Sequence, residues 1–460
     1  AHARGESGRA ARGGARRRKK GSQAKSAPGT ASQFLQAVSS FRACSRNLAV
    51  KGKSVETGMD CKAQTARIHA FHAFCAHRQI AGRLPKTAHD DTQMSFSVTV
   101  QPGGFSFEAE SDETLLAAAL RQSVGLPYGC QEGACGACKC KVTYGQVALG
   151  GHLESALSAD EAAQGYTLTC RARALGHVVL ECDQVTLASL YPPRKMPVRV
   201  AELERLAPDV MRVRLQLPAN QPTPWRAGQF MEFTLPDGSR RSYSMASAPH
   251  KEDEAPGPKR GARYVDLHIR HLPGGKFTDQ VFGGGLKVKD ILHAESPLGS
   301  FFLREDSQKP IVLLASGTGF APIKAIIEHM QRHAIARPAA LYWGGRRPQD
   351  LYMHEWVLAQ QAAMPGLRYV PVISAAQPED GWQGRTGYVH EAVLQDCPDL
   401  SGHQVYACGA PAMVRAARHD FTTRARLPES EFYADAFTSP SARGTGVYML
   451  NTKGATSSAA

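Results

Sequence analysis

The 460-residue sequence predicts a multidomain protein of mixed class: an α+β module, an antiparallel β-barrel and a doubly wound α/β domain, in that order. Three observations carry this. A loop at 130–138 gathers three cysteines behind a hairpin pattern and a helix pattern. Strand signals then recur at short intervals between 197 and 305, the rhythm of an antiparallel barrel. From 306 onward, apolar strands alternate with helical segments, which is the pattern of a parallel sheet covered on both faces.

Charge divides the chain differently. Residues 1–93 carry 18 Lys and Arg against 5 Asp and Glu, whereas the other 37 basic and 36 acidic residues nearly cancel. The formal charge of +14 is therefore a property of the leading segment, and the patterned part has no composition suited to nucleic acid. Residues 1–93, with Arg16-Arg17-Arg18-Lys19-Lys20 among Gly, Ser and Ala, are expected to be a disordered basic tail or extension. The chain starts at Ala, and Met94 opens the first well-patterned segment. A transit-peptide reading of this stretch, and a metal site at His69, His72, Cys75 and His77, are set aside on that ground. Eleven cysteines without a signal peptide point to a reducing, cytoplasmic setting, and no apolar run reaches the ~18 residues of a membrane span.

Residues 94–187 form the first unit. Phe96, Val98 and Val100 alternate, Pro102-Gly103-Gly104 turns, and Phe105 and Phe107 alternate again, as in a hairpin. A helix is expected to open at Ser111-Asp112-Glu113, with acids in its first turn and Leu115, Leu116 and Leu120 facing inward. Cys130, Cys135 and Cys138 follow in C-x4-C-x2-C spacing, and Cys170 stands apart. That is the spacing of a plant-type [2Fe–2S] cluster, in which each iron takes two thiolates. The Gly- and Ala-rich loop lets backbone N–H groups approach the sulfurs. Zinc sites usually pair two C-x2-C knuckles, and only one exists here. Cys140 and Cys182 fall outside the spacing and read as packing residues. A short helix is expected near Ser158-Ala159-Asp160-Glu161.

A proline-stiffened connector at 188–196 leads to the barrel at 197–305. Its strand signals are 198–206, 210–217, 228–235 and 240–245, and the last contains Arg241-Ser242-Tyr243-Ser244. Further on comes Leu267-His268-Ile269-Arg270, then Pro273-Gly274-Gly275-Lys276-Phe277-Thr278. Alone, the first motif reads equally as an edge strand with a surface arginine. The α/β unit spans 306–437. Its first strand runs into Ser316-Gly317-Thr318-Gly319-Phe320-Ala321-Pro322 and a helix of about 13 residues. Further strands are expected at 341–343, 368–373 and 404–408, the last ending in Cys408-Gly409-Ala410-Pro411-Ala412-Met413. The glycine loop lacks the G-x-G-x-x-G dinucleotide fingerprint, and by itself it reads equally as a sterically required turn. Cys408 alone reads equally as a buried thiol. Residues 438–460 are small and polar and are expected to be a second disordered tail.

Together these motifs, in this order, resemble the ferredoxin-first reductases of the ferredoxin–NADP reductase superfamily, such as benzoate dioxygenase and phenol hydroxylase reductases. The stretches PYGCQEGACGACK and FYADAF are most similar to bacterial CDP-6-deoxy-Δ3,4-glucoseen reductases. The resemblance implies a β-grasp ferredoxin module with Cys130, Cys135, Cys138 and Cys170 as ligands. It implies an FAD barrel in which Arg241 neutralises the pyrophosphate, Tyr243 packs on the isoalloxazine and Ser244 bonds near N5. Gly275, Lys276 and Thr278 would hold the flavin phosphates. In the nicotinamide domain, Gly317, Thr318, Gly319 and Pro322 would approach the dinucleotide, while Cys408 and Gly409 would lie beside the hydride path. Phe437 would cover the flavin, with Tyr433 in reserve. Ser244, Cys408 and Phe437 are thus the expected catalytic-site residues.

The implied reaction passes electrons from NAD(P)H through FAD and the cluster to a protein acceptor, because nicotinamide delivers two electrons and the cluster accepts one. A CDP-deoxy-sugar dehydrase is the expected acceptor, with an aromatic-ring oxygenase component as the alternative. A non-catalytic electron carrier or redox sensor is the reading from another class. Arg346 and Arg347 follow the second strand, where an arginine can grip a 2′-phosphate, but Asp350 nearby would repel one, which favours NADH over NADPH.

Overall fold

The computed structural model describes residues 94–187, 191–219, 223–249, 264–438 and 448–451, and the basic segment 1–93 lies outside them. The first unit begins with the expected hairpin, β1 (Ser95–Gln101) and β2 (Phe105–Glu110), followed by helix α1 (Leu115–Arg121). The helix starts later than expected. Thr114, not Ser111, is the N-cap, its hydroxyl accepting from the Ala117 N–H at 3.2 Å. No acid lies in the first turn, and Glu113 instead reaches forward to pair with Arg121.

After β3 (Val124–Gly125) and the cysteine loop come β4 (Lys139–Tyr144), β5 (Gln146–Leu149) and helix α2 (Ala159–Ala163). Ser158 and Glu161 form a reciprocal capping box on α2. β6 (Tyr166–Leu168), β7 (Ala172–Ala174), β8 (Val178–Glu181) and β9 (Thr186–Leu187) complete the unit. Its main sheet has the order β2-β1-β8-β4-β6, and β1 and β8 run parallel at its centre.

The barrel comprises β10 (Arg194–Ala207), β11 (Val210–Gln216), β12 (Phe230–Thr234), β13 (Arg240–Ser244), β14 (Tyr264–Arg270) and β15 (Ile291–Leu298), with the five-residue helix α3 (Thr278–Phe282). All its pairings are antiparallel, in the order β13-β12-β15-β10-β11-β14. A bridge between Met245 and Leu267 joins the two edge strands and closes the sheet. β10 begins at Arg194, so the expected connector is shorter than 188–196. Arg194 to Met196 are taken into the ladder opposite β15.

The α/β unit contains β16 (Ile311–Ser316), helix α4 (Phe320–Arg332), β17 (Ala339–Gly345), helix α5 (His354–Ala363), β18 (Leu367–Ile373), β19 (Arg385–Thr386) and helix α6 (Val389–Asp396). It ends with β20 (Gln404–Gly409), helix α7 (Pro411–Arg424) and β21 (Phe432–Ala436). The sheet is parallel, in the order β19-β18-β17-β16-β20-β21. Strand order reverses at β16 and β20, so the ligand crevice of such a sheet opens beyond their carboxyl ends.

A last strand, β22 (Tyr448–Asn451), pairs antiparallel with β5 of the first unit. For these four residues the expectation of a structureless segment after 437 does not hold, and the rest of that segment beyond 438 lies outside the described residues. Edge strand β5 offers unpaired backbone groups, and ladder pairing needs backbone rather than a distinctive side-chain pattern. The first two units also share a core, in which Phe230 and Leu298 of the barrel pack with Tyr128, Cys138 and Cys170.

Candidate functional site

The cysteine loop runs from the end of β3 to the start of β4. Gln131, Gly133 and Gly136 all have positive φ, which curls the backbone around its own thiols. The N–H groups of Glu132 and Ala137 point at Cys130 Sγ and Cys135 Sγ at 3.4 and 3.5 Å. The N–H of Cys130 points at Cys135 Sγ at 3.4 Å.

The four thiols fall into two pairs. The Cys138 and Cys170 sulfurs lie 3.2 Å apart, and Cys130 is held to Cys135 by its own N–H at 3.4 Å from Cys135 Sγ. Among the described residues no three His, Cys, Asp or Glu converge as a single ion requires, whereas two pairs suit two irons joined by bridging sulfides. The Cys135 thiol pulls Cys130 down to about 6, while Cys135 and Cys138 are pushed up, each by its partner thiol first and by burial second. Four thiolates so close together need metal charge to coexist, so the donor set fits the cluster.

The strand carrying Arg241, Tyr243 and Ser244 is β13. Tyr243 lies between aromatic neighbours, its ring centroid 6.1 Å from Phe233 and 5.5 Å from Phe277. Arg241 is partly exposed and, among the described residues, its guanidinium donates only to the Arg240 carbonyl, at 2.8 Å, which leaves donors for an anionic ligand. Ser244 is buried, and its hydroxyl donates to Asp435 Oδ2 at 3.3 Å.

The turn expected to hold phosphates is mostly self-satisfied. Thr278 Oγ1 donates to the Leu272 carbonyl at 2.9 Å, the Gly274 N–H donates to Asp279, and Lys276 is paired with Asp237. A Cβ at Gly275 would lie 2.8 Å from the Leu272 carbonyl, so its glycine serves the turn itself. Of this trio, only exposed Lys276 keeps a charge facing solvent.

Gly317, Thr318 and Gly319 form a single 3-10 turn between β16 and α4, with Pro322 in the first turn of the helix. This turn meets the end of β20. A Cβ on Gly319 would fall against the Cys408 carbonyl and within 2.6 Å of Gly409 Cα, and one on Gly409 would lie 2.5 Å from the Ser316 carbonyl. The Ala410 N–H bonds Ser316 Oγ at 2.9 Å, and the Phe437 N–H bonds the Gly409 carbonyl at 2.8 Å. Cys408, Gly409 and Phe437 are thereby brought to the mouth of the glycine turn. This close backbone approach, kept free of side chains, fits a dinucleotide. Cys408 is fully buried and its thiol is pushed up by burial, so it is neutral. Phe437 is partly exposed. Tyr433 is not at the crevice; its ring stacks on Tyr406 at 4.9 Å beneath the Arg304 guanidinium.

Two residues were missed at the sequence level. Asp435 is buried on β21, where it is pushed up to about 6 by burial, against the opposing pull of Ser244. A Cβ at Gly129 would meet Cys135 Sγ at 3.3 Å and Asp435 Oδ1 at 3.4 Å. Asp435 therefore accepts from Ser244 of the barrel and lies beside Gly129, at the entrance to the cysteine loop. The available signal was an acid inside the apolar strand FYADAF. The second is Arg270, at the end of β14. Its guanidinium lies 3.3 Å from where a Gly317 Cβ would be, and it pairs with Asp209 at 3.1 Å and Asp350 at 3.5 Å. Nothing local marked it, since arginine is ordinary at a strand end.

Comparisons with known proteins agree with this layout. Residues 98–175 match the 2Fe-2S iron-sulfur cluster binding domain, 197–303 the oxidoreductase FAD-binding domain, and 313–419 the oxidoreductase NAD-binding domain. The chain is 35% identical to the CDP-6-deoxy-L-threo-D-glycero-4-hexulose-3-dehydrase reductase of Yersinia pestis, over 75% of this chain and 99% of that protein. It is also 35% identical to the reductase subunit of an aromatic O-demethylase from Amycolatopsis, over the same shares. Among solved structures, the Amycolatopsis cytochrome P450 reductase GcoB superposes with a TM-score of 0.59 at 35% identity, over 75% of this chain and 99% of that one. The reading as a non-catalytic carrier or sensor is thereby overturned, because the matched domains and relatives are those of NAD(P)H-dependent oxidoreductases. With its cluster, FAD and NAD(P)H modules in this order, the chain belongs to the ferredoxin-first iron–sulfur flavoprotein reductases of the ferredoxin–NADP reductase superfamily.

Proposed function

We propose that this reductase delivers electrons from NADH through FAD and the [2Fe–2S] cluster to a CDP-deoxy-sugar dehydrase. The observation that supports the order of carriers is that Asp435 accepts from Ser244 and lies beside Gly129, the residue before the cysteine loop, so the expected flavin strand and the cluster loop meet at one carboxyl group. When bound, FAD accepts a hydride and releases electrons singly, which matches a two-electron donor to a one-electron cluster.

The chain's own residues supply position and protons. Arg241 offers a planar cation to the diphosphate, and Tyr243 offers an aromatic face to the ring system. Ser244 and Asp435 form a buried pair able to hold or release one proton at the serine oxygen. Gly317, Thr318, Gly319, Pro322, Cys408 and Gly409 shape the nicotinamide crevice, and Phe437 stands at its mouth. Arg270 presents a cation to the same crevice beside Gly317. Cys130, Cys135, Cys138 and Cys170 hold the cluster.

Preference for NADH is supported by the fate of Arg347. Its guanidinium is gripped by Asp380 at 2.6 and 2.7 Å and by Glu379 at 3.1 Å. Asp350 accepts from the backbone N–H groups of Arg346 and Arg347 at 2.7 and 3.1 Å, so a carboxylate stands beyond β17 where a 2′-phosphate would sit. We expect kcat/KM for NADH to exceed that for NADPH by at least about tenfold, roughly the worth of one unfavourable charge contact. A higher value for NADPH would sink this assignment.

The acceptor is tested by following NADH oxidation with each candidate supplied separately. Turnover with a CDP-hexulose dehydrase and its substrate supports the reading. Turnover only with an aromatic oxygenase or demethylase component favours the second reading, which rests on the equally similar Amycolatopsis reductase subunit.

A further inference from the structure

Cys140 and Cys182 lie outside the electron path. Cys140 is on β4, two residues beyond Cys138, and Cys182 directly follows β8. These strands are antiparallel, with Lys141 opposite Glu181, so the register sets Cys140 opposite Cys182. The Cys182 N–H is committed to the far side, donating to the Gln101 carbonyl on β1 at 2.8 Å. Cys140 likewise pairs on its other side with Thr167 of β6.

The backbone groups of the two cysteines thus turn away from each other. That makes them a non-hydrogen-bonded cross-strand pair, the kind with the closest Cα atoms, about 4.5 Å. This falls within the roughly 4.4–6.8 Å that a disulfide spans. Both side chains point to the same core face, and both cysteines are reduced. Packing alone would account for two small apolar side chains, but it does not require them to be directly opposite.

We propose that Cys140 and Cys182 are a redox-active dithiol, closed to a disulfide by a hydroperoxide and reopened by a dithiol reductant. Cys182, 9% exposed at a strand end, is the reachable thiol, and Cys140, 3% exposed, resolves the product. In the first step, Cys182 sulfur attacks the peroxide: an S–O bond forms, the O–O bond breaks and one water leaves. In the second, Cys140 sulfur displaces the hydroxyl: the S–S bond forms, the S–O bond breaks and a second water leaves. Two thiols are oxidised by two electrons and one hydrogen peroxide is reduced to two waters.

The bond would staple the strand that directly follows Cys138 to the segment leading out of the first unit. That segment already grips the α/β unit, since Gln184 donates to the carbonyls of Ser430 and Phe432 at 3.0 and 3.1 Å. The proposal rests on strand register and does not depend on which acceptor the enzyme serves.

The test treats the holoprotein with hydrogen peroxide at a dose that oxidises half-buried Cys397, then quenches in denaturant with N-ethylmaleimide for peptide mass spectrometry. The expected product is a linked pair of peptides carrying Cys140 and Cys182, two hydrogens lighter than the free thiols and separated by dithiothreitol, with the visible cluster absorption retained. In Cys140→Ser the link should vanish and Cys182 should advance to the sulfinic acid. Recovery of both wild-type cysteines as maleimide adducts would overturn the proposal, as would linkage of either one to a cluster cysteine instead.

Discussion

Asp435 shows how much a single buried carboxyl group can govern. Its affinity for a proton is raised to about 6, first by burial, so it changes charge in the range where the enzyme can be assayed. Below that value it is neutral, and above it an anion faces both Ser244 and the cluster loop. We expect the pH profile of NADH–ferricyanide activity to bend near 6. Asp435→Asn should remove that bend and lower kcat by about a hundredfold, the usual range for a lost proton-transfer group. An unchanged profile would show that Asp435 only fills space.

His268 works in the opposite sense. Burial, then Lys324, lowers it to about 3 from an ordinary 6.5, and its ring is hydrogen-bonded to the Tyr352 hydroxyl at 3.1 Å. Between those two values the unfolded chain binds more protons than the folded one, so stability rises with pH. The full stability is present above about 6.5 and declines below it by up to about 1.4 kcal/mol per pH unit. His268→Gln should therefore narrow the gap in melting temperature between pH 5 and pH 7, as read by thermal scanning.

At the level of elements, the proposed nicotinamide crevice is made by two strand ends that nearly touch. Gly319 abuts the Cys408 carbonyl and the Gly409 backbone, and these cannot rotate aside as a side chain could. Gly409 also holds φ at 130°, a conformation costly for any residue with a Cβ. Gly319→Ala should displace one strand end from the other, and a shift of an ångström can cost about a hundredfold in rate. The expected pattern is a large loss of kcat/KM for NADH with flavin still reducible by dithionite. If dithionite reduction were lost as well, the substitution would have damaged more than the crevice.

The element scale also accounts for the joining role of β21. It contributes Asp435 to the barrel and cluster side, while Tyr433, two residues earlier on the same face, packs into the α/β core against Tyr406. Phe437 then leaves the strand tied to the Gly409 carbonyl. One five-residue strand thus touches all three units.

Across the whole molecule, the three sheets are joined where electrons must pass. The cluster loop is fixed to the barrel by Tyr128 and Ser300, whose backbone and hydroxyl groups exchange hydrogen bonds of 2.9 and 3.1 Å. The barrel is fixed to the α/β unit by buried Lys324, which donates to the Ala246 carbonyl at 3.0 Å. If the cluster is the exit, Cys135→Ser should abolish reduction of the protein acceptor while leaving NADH–ferricyanide activity within about twofold of wild type. That margin is below half a kcal/mol in barrier height. Loss of both activities with FAD retained would mean that the order of carriers is wrong.

Much of this was legible in the chain because the chemistry is local. The C-x4-C-x2-C loop, the Arg-Ser-Tyr-Ser strand and the Gly-Thr-Gly turn each fit within nine residues, and turn geometry and ligand spacing are set by neighbours in sequence. The switch from barrel rhythm to alternating strand and helix was equally visible, since burial imposes its period on each segment separately. Other features depended on residues far apart. Ser244 meets Asp435 across 191 positions, and Gln184 meets Phe432 across 248. Arg347 looked available for a phosphate until folding brought Asp380 and Glu379 to it, and the strand at Tyr448–Asn451 acquired a partner only from β5. By itself the sequence determined which cofactors the chain can hold and in what order. Tertiary structure alone decided which carboxylate meets Ser244 beside the cysteine loop and which cysteines face each other, because charge and contact depend on distance in space, and sequence spacing fixes that distance only within a turn or a strand.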